Sequence, residues 1–235
     1  MSNLERIRKA ERESHTKMYM NNELFKEGGW LARPVKTIMD MLPFFENYSC
    51  LNVLDLGAGV GRNAIPIAKK FSDRECNIDC VDLLDIAIDK LLENSKKHEV
   101  KEQITGIIQT IDEFKIEKSS YDLIIAVSSL EHLDSKDSLE RKLNEIKEGI
   151  RSKGIICFIM NSEVMEIEKT TGEELPPQFE VNMKTESLME LLDELFGDWQ
   201  SIKKIVVPQK YDIPRGDKIA ELSTNVVTFV VRKRG

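Results

Sequence analysis

From about residue 50 onward, short Val- and Ile-rich hydrophobic runs alternate with stretches of helical spacing. The runs are typical of buried strands, and the apolar residues three and four positions apart are typical of amphipathic helices. Their alternation predicts βαβ units and a mostly parallel sheet. The predicted strands are residues 51–56, 77–82, 103–109, 121–127 and 154–160, and the predicted helices between them are residues 62–72, 86–97 and 136–151.

The pattern changes after the fifth predicted strand. Residues 162–183 show no sustained helical period and contain Thr-Gly and Pro-Pro pairs, which break regular structure, so we expect an inserted loop there. A helix over residues 185–196 follows. Two β-branched runs near residues 202–207 and 225–232 then predict an antiparallel hairpin that closes one edge of the sheet.

The first 48 residues predict helices. One charged helix is expected near residues 3–20, and a second is expected to begin at Pro34, since proline suits the first helical turn. These helices precede the sheet and are expected to fold over its ligand-binding edge as a lid. Because the sequence contains no repeat, low-complexity tract or linker, residues 1–235 are predicted to form a single domain.

Charge and composition narrow the classes of partner. The net charge of -7 has the wrong sign for a protein that binds by neutralising phosphates, so nucleic acid is not expected as a partner. No apolar run approaches the roughly 20 residues of a membrane span, and the charged start is unlike a signal peptide. We therefore expect a cytoplasmic protein without a membrane partner, as a monomer or homodimer. The four cysteines lack the spacing of a zinc site, and no metal is expected.

The most informative segment is VLDLGAGVGRN at residues 53–63, an apolar strand that ends in a glycine-rich turn and opens a helix. Glycine tolerates positive φ and lets the backbone approach a ligand, and the helix start offers unpaired N–H groups. The turn is therefore expected to bind an anionic or hydroxyl-rich group. Asp55 lies on the apolar strand and must have a partner, because a lone buried carboxylate is strongly unfavourable. The partner is either an amide of the turn or a cationic group of the ligand.

Asp82 follows Gly61 by 21 residues, at the end of the second predicted strand. At this distance an acidic residue meets the ribose hydroxyl pair in nucleotide-binding βαβ units. The hexapeptide GVGRNA at residues 59–64 also satisfies the dinucleotide pattern G-x-G-x-x-G/A. An NAD(P)-dependent oxidoreductase is therefore one alternative, although Asp55 and Gly57 intervene between strand and turn in a way that this pattern does not expect.

The segment VLDLGAGVGR resembles motif I of the class I S-adenosylmethionine-dependent methyltransferases. The order of later segments agrees over roughly residues 50–235, and YDLIIAVSSLEHL at residues 121–133 resembles the fourth strand and following turn of small-molecule methyltransferases of the ubiquinone-biosynthesis and tellurite-resistance types. The resemblance implies a doubly wound α/β fold with a mostly parallel seven-stranded sheet, an antiparallel C-terminal hairpin and the N-terminal helical lid.

The same resemblance implies S-adenosylmethionine as cofactor and methyl transfer to a heteroatom of a small-molecule acceptor. The turn after the fourth strand lacks the Pro-Pro motif of enzymes that methylate amino groups of adenine or glutamine, which favours a small metabolite. A protein that binds the cofactor without turnover is a second alternative. The cofactor-binding residues that the resemblance and the turn together suggest are Asp55, Gly57, Gly59, Gly61, Asp82, Leu83, Ile111, Asp112 and Val127.

Four further residues are candidates for chemistry or for lid contacts. Glu131 and His132 lie just beyond the fourth strand, at the edge where open α/β sheets bind ligands, and an imidazole there could accept a proton from the acceptor. The alternative is that His132 only caps a turn. In the predicted lid, Arg33 could pair with the methionine carboxylate and Trp30 could face the sulfonium, although a tryptophan beside a helix start is usually packed. His15 lies on a charged stretch and is expected at the surface.

Overall fold

The computed structural model of the protein describes residues 3–235, and in this part of the chain one large mixed sheet is surrounded by helices. The strands are β1 (Cys50–Leu56), β2 (Glu75–Asp82), β3 (Ile104–Ile108), β4 (Tyr121–Val127), β5 (Ile150–Glu168), β6 (Glu174–Leu175), β7 (Gln200–Arg215) and β8 (Lys218–Arg232). The helices are α1 (Asn3–Asn21), α2 (Lys36–Met41), α3 (Ala64–Lys70), α4 (Asp85–Lys97), α5 (Lys136–Gly149) and α6 (Thr185–Phe196).

The order of strands across the sheet is β3-β2-β1-β4-β5-β8-β7, and the two-residue β6 pairs with β5 outside this path. Strands β1 to β5 are parallel, whereas β8 is antiparallel to both β5 and β7. The winding direction reverses between β1 and β4, which opens a crevice at the carboxyl ends of these two strands. The predicted doubly wound sheet with a C-terminal hairpin is confirmed, with seven strands on the main path.

Both faces of the sheet are covered by hydrophobic cores. On one face Ile65 of α3 and Leu91 of α4 belong to a cluster that also contains Val53 of β1. On the other face Leu143 of α5 and Phe196 of α6 pack with the opposite side chains of the central strands. Apart from Asp122, strand β4 is apolar throughout, because helices cover it on both sides.

The C-terminal strands are much longer than their hydrophobic runs predict. The last four residues of β5, residues 165–168, extend past the parallel strands and pair with residues 220–223 of β8. Residues 208–215 of β7 pair with residues 218–225 of β8. We call residues 165–168, 208–215 and 218–225 the three-stranded extension. The expectation of a loop over residues 162–183 is therefore wrong for its first seven residues, which belong to β5, and for β6.

The N-terminal segment is helical, as its sequence predicts, but α2 begins at Lys36 rather than at Pro34. From α1, Tyr19 reaches the first core cluster, and Leu24 and Leu31 of the following loop join it. None of the described helices has both the length and the apolar character that crossing a membrane requires.

Candidate active site

The glycine-rich turn between β1 and α3 has the backbone conformation that its sequence predicts. Gly57 and Gly59 have φ angles of +76° and +54°, a region that disfavours other residues. A Cβ atom at Gly57 would lie 2.4 Å from Cβ of Ser129, and one at Gly59 would lie 2.9 Å from the hydroxyl of Tyr19. The turn is therefore in direct contact with both the end of β4 and helix α1, and only glycine fits at these two positions.

Asp82 ends β2 directly beside this turn. Its Oδ2 accepts a hydrogen bond of 2.8 Å from the amide of Gly59, and its Oδ1 accepts one of 2.9 Å from the amide of Leu84. Burial raises the pKa of this carboxyl above its ordinary value, and the backbone hydrogen bonds oppose that rise. The carboxylate is thus fixed in orientation while it still lines the cavity described below.

Asp55 lies one strand away and is in a different situation. The side chain is buried on β1, and among the described residues its Oδ2 has no hydrogen-bond partner. The amides of Gly57 and Ala58, which the sequence offers as partners, donate instead to the carbonyl of Val81. Burial, reinforced by the charge of Asp82, raises the pKa of Asp55 to about 7. The expectation that turn amides satisfy Asp55 is therefore wrong.

A cavity of about 850 Å³ opens at the carboxyl ends of the strands. It is bounded by α1, the glycine turn, the ends of β2 and β4, the loop after β3, the segment before α6 and the second half of β7. This volume is within the usual range of small-molecule sites. The predicted site residues that line the cavity are Trp30, Gly57, Gly59, Asp82, Leu83, Ile111, Asp112, Val127 and His132.

Four predicted residues lie outside the lining. Asp55 is below the glycine turn, and a Cβ at Gly61 would lie 2.5 Å from Cδ1 of Leu91, so Gly61 serves the packing of α3 against α4. Glu131 is fully buried and accepts hydrogen bonds from the amide and the side chain of Asn161, at 3.0 and 2.6 Å. Its carboxylate therefore ties the turn after β4 to β5 rather than facing a ligand.

Arg33 is the fourth of these residues, since its side chain is exposed away from the cavity. Arg62 lines the cavity instead, directly after the third glycine of the turn. Its guanidinium lies 5.0 Å from the centre of the Trp30 ring, and Nη1 donates a 3.0 Å hydrogen bond to the Trp30 carbonyl. The sequence suggested Trp30 and Arg33 but gave no indication of Arg62, because contacts between distant segments leave no local pattern.

His132 lines the cavity on a short 3₁₀ turn after β4. Its Nδ1 lies 2.9 Å from Oε2 of Glu180, and its ring stacks on Phe179 with a centroid separation of 5.1 Å. Glu180 also lines the cavity, and its Oε1 is 3.9 Å from Nε of Arg8. Residues 162–183 contain no recognisable motif, so the sequence did not indicate a role for Glu180 in the site.

Helix α1 presents one face to the cavity. Arg8, Arg12, His15 and Tyr19 are spaced four, three and four residues apart, and all four line it. His15 is therefore not a surface residue, contrary to expectation. Burial, together with the charge of His132, lowers the pKa of His15 to about 4, so this imidazole is neutral at neutral pH. The helical spacing of these polar and aromatic residues was the signal that could have identified the face.

Among the described residues, no group of three or more His, Cys, Asp or Glu side chains is placed to bind a metal ion. The residues do fit a nucleoside cofactor, because the positive-φ glycines allow close backbone approach at one end and the oriented carboxylate of Asp82 offers an acceptor for hydroxyl groups. The apolar side chains of Leu83 and Ile111 line the same part of the cavity.

Comparison with known proteins agrees with this geometry. Residues 53–154 match the family model of a methyltransferase domain. The sequence has no significant match among curated proteins.

Several solved structures share the fold. TehB from Haemophilus influenzae is 19% identical, with a TM-score of 0.60 over 83% of this chain, which spans 62% of the TehB chain. The N-methyltransferase NodS from Bradyrhizobium japonicum, solved with S-adenosyl-L-homocysteine, is 12% identical over 95% of this chain and 99% of its own, with a TM-score of 0.56.

A phosphoethanolamine N-methyltransferase from Haemonchus contortus, solved with phosphomonomethylethanolamine and S-adenosylhomocysteine, is 16% identical over 94% of this chain and 57% of its own, with a TM-score of 0.57. At these identities the likeness establishes the fold. Together with the match of residues 53–154 to a methyltransferase-domain model, it confirms the resemblance to S-adenosylmethionine-dependent methyltransferases that the sequence motifs carry.

Proposed function

We propose that this protein transfers the methyl group of S-adenosylmethionine to a heteroatom of a small-molecule acceptor. One observation carries the proposal. The cavity is continuous from the glycine turn and Asp82 at one end to His132 and Glu180 at the other, so a cofactor and an acceptor can lie side by side. Holding two reactants in line can account for roughly 7–11 kcal/mol of barrier lowering.

At the cofactor end, each role is assigned by position. The backbone of the turn at Gly57 and Gly59 lies against the methionine part, Asp82 accepts from the ribose hydroxyls, and Ile111 with Asp112 flanks the adenine, while Leu83 and Val127 supply apolar contacts. Asp55 and Gly61 support the turn from behind. When bound, S-adenosylmethionine supplies an electrophilic methyl group on a cationic sulfur.

The methionine carboxylate is assigned to Arg62 instead of Arg33. Arg62 lines the cavity next to the glycine turn, and Trp30 holds its guanidinium in place through a ring contact and a carbonyl hydrogen bond. A carboxylate that reaches this guanidinium gains a charge-assisted hydrogen bond. The exposed side chain of Arg33 offers no such arrangement.

The acceptor end favours a small molecule. Tyr211 and Pro214 of the three-stranded extension close one side, and α1 closes another, so the space around His132 is walled. NodS and the Haemonchus enzyme, which share the fold, are N-methyltransferases, and the latter was solved with a phosphorylated amine. These relatives support a small acceptor, and His132 is proposed to take up its proton.

With a net charge of -7, a nucleic-acid acceptor is disfavoured. A cytoplasmic location and a monomeric or homodimeric state remain proposals of the sequence analysis. Helix α1 is proposed to act as a lid, because five of its residues line the cavity.

The test is a methyl-transfer assay with S-adenosylmethionine and a panel of amines, alcohols and thiols that includes phosphomonomethylethanolamine. We expect release of S-adenosylhomocysteine with at least one of these acceptors, and His132→Ala to lower turnover without changing cofactor affinity. Binding of S-adenosylhomocysteine without turnover across the panel would favour a non-catalytic binding protein. A rise in melting temperature with NADH but not with S-adenosylhomocysteine would favour the oxidoreductase.

A further inference from the structure

Glu180 places a carboxylate inside the cavity although its own side chain is 2% exposed. Glutamate is rarely buried in this way unless it is paired. Its two oxygens are divided between partners: Oε2 lies 2.9 Å from Nδ1 of His132, and Oε1 lies 3.9 Å from Nε of Arg8. The shorter contact identifies His132 as the main partner of Glu180.

The backbone on both sides of Glu180 fixes this contact. The amide of Val181 donates a 2.9 Å hydrogen bond to the carbonyl of Glu131, the residue before His132. On the other side of Glu180, Phe179 stacks on the His132 ring with an interplanar angle of 24°. Residues 179–181 therefore hold the imidazole by a ring face, a carboxylate and a backbone link, which leaves it little freedom to rotate.

A carboxylate at one ring nitrogen decides where a neutral imidazole carries its proton. The carboxylate accepts a hydrogen bond, so Nδ1 becomes the protonated nitrogen and Nε2 keeps the lone pair. It also stabilises the imidazolium that forms when Nε2 takes up a second proton. His15, on the other wall of the cavity, is kept neutral by burial, which lowers its pKa to about 4.

We propose that Glu180 is a positioning residue that holds neutral His132 in the tautomer with the proton on Nδ1, so that Nε2 accepts the proton of the methyl acceptor. This inference rests on the proposed function. In the step, the acceptor heteroatom forms a bond to the methyl carbon as the carbon–sulfur bond breaks with its electron pair left on sulfur. The acceptor's proton passes to Nε2, and Glu180 balances the resulting charge.

The arrangement also narrows the acceptor class. A proton-accepting nitrogen is useful only if the acceptor has a proton to lose, as a protonated amine, an alcohol or a thiol does. A thioether, which carries no proton at neutral pH, does not need this pair. We therefore assign to the acceptor an N–H, O–H or S–H group at the reacting atom.

The experiment is ¹⁵N NMR of the histidine ring nitrogens, in the 235-residue protein at a pH where the His132 ring is neutral. We expect wild type to show a protonated Nδ1 and an unprotonated Nε2. Glu180→Gln keeps an acceptor oxygen and should keep this pattern, whereas Glu180→Leu should shift the proton toward Nε2. Glu173→Leu, at an exposed glutamate of the same segment, is the matched control and should leave His132 unchanged.

A wild-type spectrum with the proton on Nε2 would overturn the inference, and so would an unchanged pattern in Glu180→Leu. If Glu180→Leu does not fold, the wild-type and Glu180→Gln spectra decide. Titration with S-adenosylhomocysteine separates this inference from the proposed function. If wild type does not bind S-adenosylhomocysteine, the proposed function is rejected. If wild type binds it but carries the His132 proton on Nε2, only the role of Glu180 is rejected.

Discussion

Asp55 and Asp82 are buried carboxylates on neighbouring strands beside the same turn, and their surroundings differ in one respect. Two backbone amides orient Asp82, whereas Oδ2 of Asp55 has no partner among the described residues. An ionised carboxylate without hydrogen bonds is unfavourable in a protein interior, and here the charge of Asp82 adds repulsion. Asp55 is therefore protonated over a range of pH in which most carboxyls are ionised.

This difference predicts a pH dependence of stability. The folded-state pKa of Asp55 is raised from 3.8 to about 7, so between these values the folded protein binds more protons than the unfolded chain, and stability falls as pH rises. Asp55→Asn removes the contribution. Relative to wild type, the free energy of unfolding of this variant should therefore rise by roughly 2–3 kcal/mol at most between pH 5 and pH 7.

The measurement is denaturant unfolding of the ligand-free protein at both pH values. Asp89→Asn, on the exposed face of α4, is the control and should show no such change. An Asp55→Asn variant that tracks wild type across this range would show that Asp55 is ionised in the folded protein.

The glycine turn gives a second prediction at this scale. Gly57 and Gly172 have nearly equal φ angles of +76° and +73°, but only at Gly57 would a new Cβ meet another atom, at 2.4 Å from Cβ of Ser129. Alanine at either position carries a backbone penalty of about 1–2 kcal/mol. Gly57→Ala should lose clearly more unfolding free energy than Gly172→Ala, and equal losses would mean that the turn moves freely away from Ser129.

At the scale of elements, the three-stranded extension is held together by buried charge. Arg215 of β7 forms two hydrogen bonds, of 2.5 and 2.6 Å, to the carboxylate of Glu166 of β5, which is fully buried. The amide of Gln178 donates to the same carboxylate at 3.2 Å. The ion pair thus joins β7 to β5 within the extension, and the hydrogen bond from Gln178 connects it to the segment that carries Glu180.

Removing the cation should therefore be costly. Arg215→Ala leaves the buried carboxylate of Glu166 without its main partner, and such losses typically amount to about 3–5 kcal/mol. Lys210 lies on β7, as Arg215 does, and forms an exposed ion pair with Glu221 of β8. Lys210→Ala should therefore change stability by about 1 kcal/mol or less. Denaturant titration compares the two variants, and similar losses would show that the Arg215 pair contributes no more than a surface contact.

For the molecule as a whole, the sequence pattern predicts the part of the fold that hydrophobic burial decides. Strand β4 is observed at its predicted bounds because every position is apolar or fully covered, and helix α6 because its leucines share one face. The glycine turn and Asp82 were identifiable because their chemistry depends on local spacing.

The three-stranded extension could not be predicted in the same way. In the last residues of β5 the inward positions hold Glu166 and Glu168, whereas Met165 faces outward, so hydropathy suggests the opposite of the observed burial. Edge strand β7 contains Pro208 and Pro214, which normally argue against a strand. The contacts of Glu180 and Arg62 likewise join distant segments, and one sequence does not encode such pairs in a recognisable pattern.

The central claim, that the cavity beside the glycine turn holds the cofactor, is tested most directly by calorimetric titration with S-adenosylhomocysteine. Wild type should bind one equivalent, and Asp82→Ala should bind at least tenfold more weakly, a loss of about 1.4 kcal/mol or more. The control Asp89→Ala should match wild type. Absence of binding to wild type, or equal dissociation constants for wild type and Asp82→Ala, would contradict the account.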